Sequence, residues 1–271
     1  MNLISRAAIR AIIVTALLSP ATVSADSDNS WDFGLSIYGW FPDISGTTRF
    51  SPSGEGQDFT VEIGDIVDNL QFTLQGSFDA RKNNWGFFTD AIYLDLGNTD
   101  SVIREGTIGD TNLPVDVTAD VGFDMKSLIW TTAAYYRLVN EPDRSFDLLG
   151  GVRYADVEQS MRWAFNGNIG QIPLPGREGD AKISASYWDF VIGLRGRAGF
   201  GQNASWFIPY YLDIGTGDSD FTWQAAAGIG YAFSWGEIAG LWRYLDYDLP
   251  SDKPIADINF SGPALGVVFR W

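Results

Sequence analysis

Residues 220–233, DFTWQAAAGIGYAF, decide the fold. Phe221, Trp223, Ala225, Ala227, Ile229, Tyr231 and Phe233 alternate with Asp220, Thr222, Gln224, Ala226, Gly228 and Gly230. An extended chain puts the first set on one greasy face and the second on a polar or small one, whereas a helix would scatter both around its axis. The same period of two runs through residues 71–82, QFTLQGSFDARK, where Phe72, Leu74, Gly76, Phe78 and Ala80 oppose Gln71, Thr73, Gln75, Ser77, Asp79 and Arg81. It returns at the start of the first strand, with Trp31, Phe33, Leu35 and Ile37 against Asp32, Gly34, Ser36 and Tyr38.

Outward from these segments, strands are expected at 31–41, 71–82, 85–96, 122–138, 146–158, 184–198, 205–214, 220–233, 237–248 and from about 257 to 271. Turns near 83, 142, 202 and 235 are short, and the links 41–70, 98–121 and 159–183 are long. Such an alternation belongs to a meander with short turns at one rim and long loops at the other. The expected fold is all-β: a closed antiparallel up-and-down transmembrane β-barrel of about ten strands, with twelve or eight as alternatives. The stretches 45–50 and 58–63 fall short of the ~9–11 residues needed to span, and are read as a hairpin standing above the membrane.

Bulk composition narrows the class. The chain has 271 residues, 15% of them aromatic, with 11 Trp, 30 Gly, no Cys and no His. Residues 1–25 have the form of a signal peptide: Arg6 and Arg10, an apolar run from Ala11 to Leu18, and Val23-Ser24-Ala25 before a cleavage point after Ala25. Residues 26–271 then form one barrel domain. The 18 basic and 34 acidic residues give −16, and loss of Arg6 and Arg10 leaves 16 against 34, or −18. That charge repels a phosphate backbone and excludes nucleic acid as a partner. No disulfide framework is available, and no segment offers the roughly 18 consecutive apolar residues of a membrane helix.

Polar residues inside the strands indicate which face turns inward. Asp79, Arg81, Asp90, Arg137, Arg153, Asp189, Arg195, Asp213, Gln224 and Arg243 lie opposite apolar neighbours, and in hydrocarbon such groups have only the lumen to face. The charged members are expected to pair across the lumen, which Tyr38 and Tyr211 narrow further. Trp31, Trp85, Phe146 and Trp206 open strands at the short-turn rim, and Tyr136, Phe233 and Trp271 close them, which makes one aromatic girdle. A second is expected from Trp40, Tyr93, Trp188, Trp223 and Tyr244. The chain stops on an alternating strand with Val267, Phe269 and Trp271 on one face, and Phe269 with Trp271 resembles the assembly signal of outer-membrane barrels.

LSIYGWFPDI (35–44), GDIVDNL (64–70), GSFDARKNNWGFFTDAIYLDL (76–96), LLGGVRYAD (148–156) and RYLDYD (243–248) together resemble a family of uncharacterised bacterial outer-membrane β-barrel proteins. The resemblance spans nearly the whole mature chain. It implies the barrel and the outer-membrane location, and it carries no activity and no catalytic residues.

Barrel enzymes similar in shape, such as omptin proteases, phospholipase A and lipid A-modifying enzymes, use His as general base. A chain without His closes those routes, and no cofactor, metal or catalytic residue is expected. Asp79 and Asp90, on neighbouring strands, could form a carboxylate pair, but inward Asp and Arg more commonly make ion pairs. Residues 215–220, GTGDSD, hold closely spaced carboxylates without EF-hand spacing, and read as a solvated acidic loop. Gly228-Ile229-Gly230 is half a dinucleotide fingerprint with no following helix, so its glycines are expected to relieve crowding. Residues 65–70, DIVDNL, allow one helical turn that either folds into the mouth as a partial plug or packs on the rim. Three functions are therefore weighed: a structural wall or narrow passive pore, a surface binding or adhesion barrel acting through the loops 41–70 and 159–183, and a His-free hydrolase. The expected partners are outer-membrane lipid and the barrel-assembly machinery.

Overall fold

Period-two alternation becomes a hydrogen-bonded ladder in the computed structural model, which describes residues 30–48, 57–108, 113–169, 172–252 and 255–271. The expected leader at 1–25 lies outside them. The strands are β1 (Trp31–Trp40), β2 (Asp43–Thr48), β3 (Gln57–Val61), β4 (Leu70–Lys82), β5 (Trp85–Ile108), β6 (Leu113–Asn140), β7 (Arg144–Ile169), β8 (Ile172–Phe200), β9 (Trp206–Gly217), β10 (Phe221–Ala232), β11 (Glu237–Asp248) and β12 (Ile255–Arg270). One short helix, α1 (Ile63–Asp68), lies between β3 and β4.

β1 and β4 to β12 pair antiparallel in order, and β12 returns to β1 with Leu35 opposite Phe269 and Ile37 opposite Val267. The result is a closed ten-stranded barrel. Phe33 and Trp271 exchange backbone hydrogen bonds of 2.8 and 3.1 Å at the seam. β2 prolongs the line of β1 beyond Phe41-Pro42 by pairing with the far part of β12, and carries β3 as a hairpin. The β4–β5 turn at the short rim has two residues, and its Asn83 adopts φ 55°, a left-handed conformation that Asn tolerates well.

Two long links need correction. Residues 98–121 and 159–183 are largely strand, because β5 and β6 stay paired to Ile108 opposite Leu113, and β7 and β8 to Ile169 opposite Ile172. β4 leaves β5 at Leu96, and β9 leaves β8 at Asp189. Beyond those points β5 to β8 continue as a four-stranded sheet; at about 3.3 Å per residue, residues 97–108 run about 40 Å along their strand. Polar, turn-rich composition gave these segments the look of loops, but a long hairpin is held by cross-strand pairing.

The alternating faces separate as expected on the outside. Leu35, Ile37, Leu74, Phe190, Ile192, Ile229 and Leu265 all point outward and are exposed. At the short-turn rim Trp85 packs on Tyr136 with ring centroids 5.0 Å apart, and Trp206 on Tyr231 at 5.0 Å. Higher up, Tyr154 with Trp188 and Trp223 with Tyr244 make a second aromatic level, each at 4.7 Å. Trp40 does not belong to it: it turns inward, is 3% exposed, and donates its indole N–H to Gly262 O at 3.2 Å.

Glycines open room for inward rings. A Cβ on Gly86 would lie 2.1 Å from the Tyr135 ring, and one on Gly230 2.3 Å from the Phe207 ring, so each glycine is a slot for a neighbour. Gly228 lies tight against the β11 backbone, 2.1 Å from Gly240 O on the same measure, consistent with relief of crowding in the wall.

Candidate functional site

The interior of the barrel is the candidate site, and its chemistry changes along the axis. All nine charged residues singled out from the sequence point into it or line its short-turn mouth, but they do not form one network. At the short-turn mouth Arg81 pairs with Asp32 on the adjacent strand β1. Next, Arg137 forks onto Asp147 through 2.7 and 3.0 Å hydrogen bonds, and Arg195 joins Asp79 to the same carboxylate, with its Nε 3.3 Å from Asp147. Tyr135 donates to Asp79 at 2.9 Å, and the Arg195 guanidinium lies over the rings of Tyr135 and Phe88 at 4.0 and 4.8 Å.

Two further pairs cross the middle. Arg243 donates to Asp90 at 2.8 Å, to Gln224 at 3.0 Å and to the Tyr38 hydroxyl at 3.1 Å, while its guanidinium lies 4.8 Å from the Trp40 ring. Arg153 pairs with Asp213 and donates to Thr131 and Thr222, each at 3.2 Å. Both side chains of the Arg153–Asp213 pair are fully buried. Tyr211 adds a hydroxyl donor to Asp213. Asp79 and Asp90 thus each have their own arginine, and the structure does not bring them together as a carboxylate pair.

Asp189 departs from the expected ion pairing. Its carboxylate accepts the Ser219 N–H and hydroxyl, both at 2.9 Å, and so fastens the turn between β9 and β10. In that turn Asp218 accepts the Trp188 N–H at 2.8 Å, which occupies part of the GTGDSD carboxylate set with backbone. Among the described residues no three metal-ligating acidic groups converge.

Above the ion pairs the lumen turns apolar, contrary to a uniformly polar inner face. Trp40, Ile44, Ile92, Leu96, Ile129, Leu245, Leu249 and Phe260 form a buried cluster there, and Ile66 of α1 enters it at 2% exposure. A six-residue helix is not stable alone; α1 is held by this burial and by Ile63 N–H donating to Asp43 at 2.8 Å. It therefore enters the mouth through Ile66 as a partial plug, with Val67 left exposed, rather than only packing on the rim. Beyond the wall, the Lys182 ammonium 2.7 Å from Glu158 holds that carboxyl below its usual range.

Below the plug three cavities follow one another. One of about 450 Å³ opens at the short-turn end beside Arg81, Arg144 and Arg270. The next, about 270 Å³, shares Asp79, Arg137, Arg197 and Arg270 with it. The third, about 230 Å³, shares Arg195 and Tyr211 with the second, and Arg243 lines it beneath the plug.

Sequence reasoning missed Asp32, Asp147, Glu237 and Arg270 as partners. Their signal was parity: each falls on the inward face of its strand, Glu237 six residues before Arg243.

No family model matches the sequence, and no curated protein matches it. Among solved structures the chain is similar to Ail, the attachment invasion locus protein of Yersinia pestis, at 10% identity over 90% of this chain and 99% of that one, with a TM-score of 0.33. It is also similar to the translocator domain of the autotransporter NalP from Neisseria meningitidis, at 15% identity, 89% and 88% coverage, TM-score 0.35. The CymD monoaromatic hydrocarbon channel is a third, at 10% identity, 90% and 89% coverage, TM-score 0.31. At those scores the likeness carries no argument about activity; the closed ladder itself defines this chain as a ten-stranded antiparallel barrel.

Proposed function

We propose that the chain is an integral outer-membrane β-barrel, a wall protein sealed across its lumen rather than an open pore. The observation that carries this reading is the double closure: a fully buried Arg153–Asp213 pair, and above it an apolar layer stoppered by Ile66. An ion crossing there would shed its water into hydrocarbon-like surroundings, and hydrophobic constrictions block conduction by dewetting. The membrane reading rests on sidedness, since an exposed outer belt of Leu, Ile and Phe between two aromatic levels fits lipid, with ionised groups turned inward. In this arrangement Asp79, Arg81, Asp90, Arg137, Arg153, Asp189, Arg195, Asp213 and Arg243 serve as an internal polar framework, and none is catalytic. Short turns then face the periplasm. Residues 26–271 form the exported barrel, with lipid around it and the assembly machinery acting on the closing strand that carries Phe269 and Trp271.

The test is conductance. Mature protein refolded into planar bilayers gives no steps above baseline, while a variant lacking residues 57–69 and carrying Arg153→Ala with Asp213→Ala gives measurable ones. Regular steps from the unaltered protein would defeat the sealed reading.

The tall sheet supports a second reading, display of a binding surface. A sealed barrel has no need of strands 24 to 29 residues long for β5 to β8 when β9, β10 and β11 have 12 each. Replacing residues 99–120 and 160–183 by short turns leaves the barrel assembled and removes any binding of cells to host surfaces; unchanged binding counts against it.

A further inference from the structure

The short-turn half of the lumen is far less acidic than the chain as a whole. Acidic residues outnumber basic ones 34 to 18 overall. Yet the side chains lining the two outermost cavities comprise six arginines, 81, 137, 144, 195, 197 and 270, against five carboxylates, 32, 79, 141, 147 and 237. The surplus is localised. Arg137 and Arg195 share Asp147 and Asp79 evenly, Arg81 has Asp32, and Arg144 has Glu141. Arg197 and Arg270 have one carboxylate between them, that of Glu237.

Their geometry leaves donors over. Arg270 uses Nε and Nη2 on Glu237, at 3.2 and 3.3 Å, and keeps Nη1. Arg197 gives Nη1 to the same carboxylate, and its Nε, like those of Arg195 and Arg243, is buried without a hydrogen bond. The Arg197 guanidinium is held in plane by the Phe207 ring, 4.1 Å away, so it cannot easily swing to find another acceptor. Both arginines border both cavities, and so stand at the neck between the mouth and the inner chamber. An unspent buried guanidinium donor costs free energy until something accepts from it, and a guanidinium fork matches the oxygens of carboxylate or phosphate.

We propose that the neck formed by Arg197, Arg270 and Glu237 is a binding site for one small oxyanion entering from the short-turn end. The anion accepts from Arg270 Nη1 and lies against the Arg197 guanidinium, with Glu237 as its competitor. This site lies below the seal and does not depend on the barrel being non-conducting.

The test is a calorimetric titration of mature protein in detergent micelles, at constant ionic strength and pH 7, with inorganic phosphate in one arm and acetate in the other. Saturable one-site binding of either ion is expected. Arg270→Gln, a change at a half-exposed side chain, weakens it at least tenfold, as does Arg197→Gln. Glu237→Gln tightens it severalfold by removing the competing carboxylate, which a merely structural role for this cluster would not do. Heat-modifiable migration on gels confirms that each variant is folded, and Arg197→Lys replaces Arg197→Gln should the latter fail that check. Absence of saturable binding in both arms, or binding indifferent to Arg270→Gln and Glu237→Gln, overturns the site.

Discussion

Replacing the Arg153–Asp213 pair measures how dry the middle of the barrel is. Both side chains are inaccessible to solvent, and Arg153 also donates to Thr131 and Thr222. Arg153→Met fills similar volume but leaves the Asp213 carboxylate buried, with the Tyr211 hydroxyl donating to it in place of a full positive charge. Breaking one side of a buried pair costs about 3–5 kcal/mol. Asp213→Leu strands the guanidinium at a similar cost. The double replacement removes both charges; Thr222 keeps its 2.7 Å bond to Asp246 O, Thr131 and Thr222 each lose a donor to their hydroxyl oxygens, and the Tyr211 hydroxyl loses its acceptor. Stability of the double variant is therefore expected within about 1 kcal/mol of the starting protein or above it, which makes the coupling energy at least about 3 kcal/mol. Urea unfolding in lipid vesicles, followed by the fluorescence of the 11 tryptophans, gives all four corners of the cycle. Were water to reach this layer, the pair would behave as an exposed one, worth about 0–1 kcal/mol. A single-variant loss below about 1 kcal/mol would thus refute the dry layer, and with it the argument for a sealed lumen.

Gly86→Ala forces a Cβ to within 2.1 Å of the Tyr135 ring and should cost about 1–3 kcal/mol in the same assay, whereas Gly64→Ala, with open space around it, should change little. Ile66→Ala removes most of a 2%-exposed side chain from the plug; a loss of about 2–5 kcal/mol in local seating should appear as faster proteolysis within residues 57–69, with the rest of the barrel intact. In vesicles of brominated lipid, single-tryptophan variants retaining only Trp188 should be quenched strongly and those retaining only Trp40 weakly, because the first ring faces outward and the second lies inside.

Parity explains both what could be read from the residues and where that reading slipped. Even-numbered Asp32, Gly34, Ser36 and Tyr38 mark the inward face of β1, and Trp40 continues the same series, yet its size suggested a girdle position. The register places it over Arg243, where the guanidinium accepts an aromatic face. The ten spans were legible because each carries its own alternation, and so was the short hairpin, now Asp43–Thr48 with Gln57–Val61. The tall sheet was not, since Gly97, Asn98 and Asp100 have low strand propensity and only their cross-strand partners keep them extended. Partner choice escaped parity altogether: Asp189 faces inward as expected, but whether it meets Arg153 or Ser219 is decided by how the β9–β10 turn closes over it.

The apolar stopper and the ionic chambers below it are two halves of one solution to the ten-strand size. Eight strands enclose about the volume their own side chains fill, and 16 to 18 leave a channel; ten leave a gap that must be either wet or packed. At the short-turn end cavities remain, lined by charges, with Arg197 and Arg270 sharing one carboxylate. At the tall end Ile92, Leu96, Ile129 and Leu245 are too large and too apolar to leave water between them, and α1 supplies the last side chain, Ile66. The Arg153–Asp213 pair lies at the boundary between these regimes, buried like the layer above it and charged like the chambers beneath. A barrel built only to conduct would have no reason to desolvate an ion pair there.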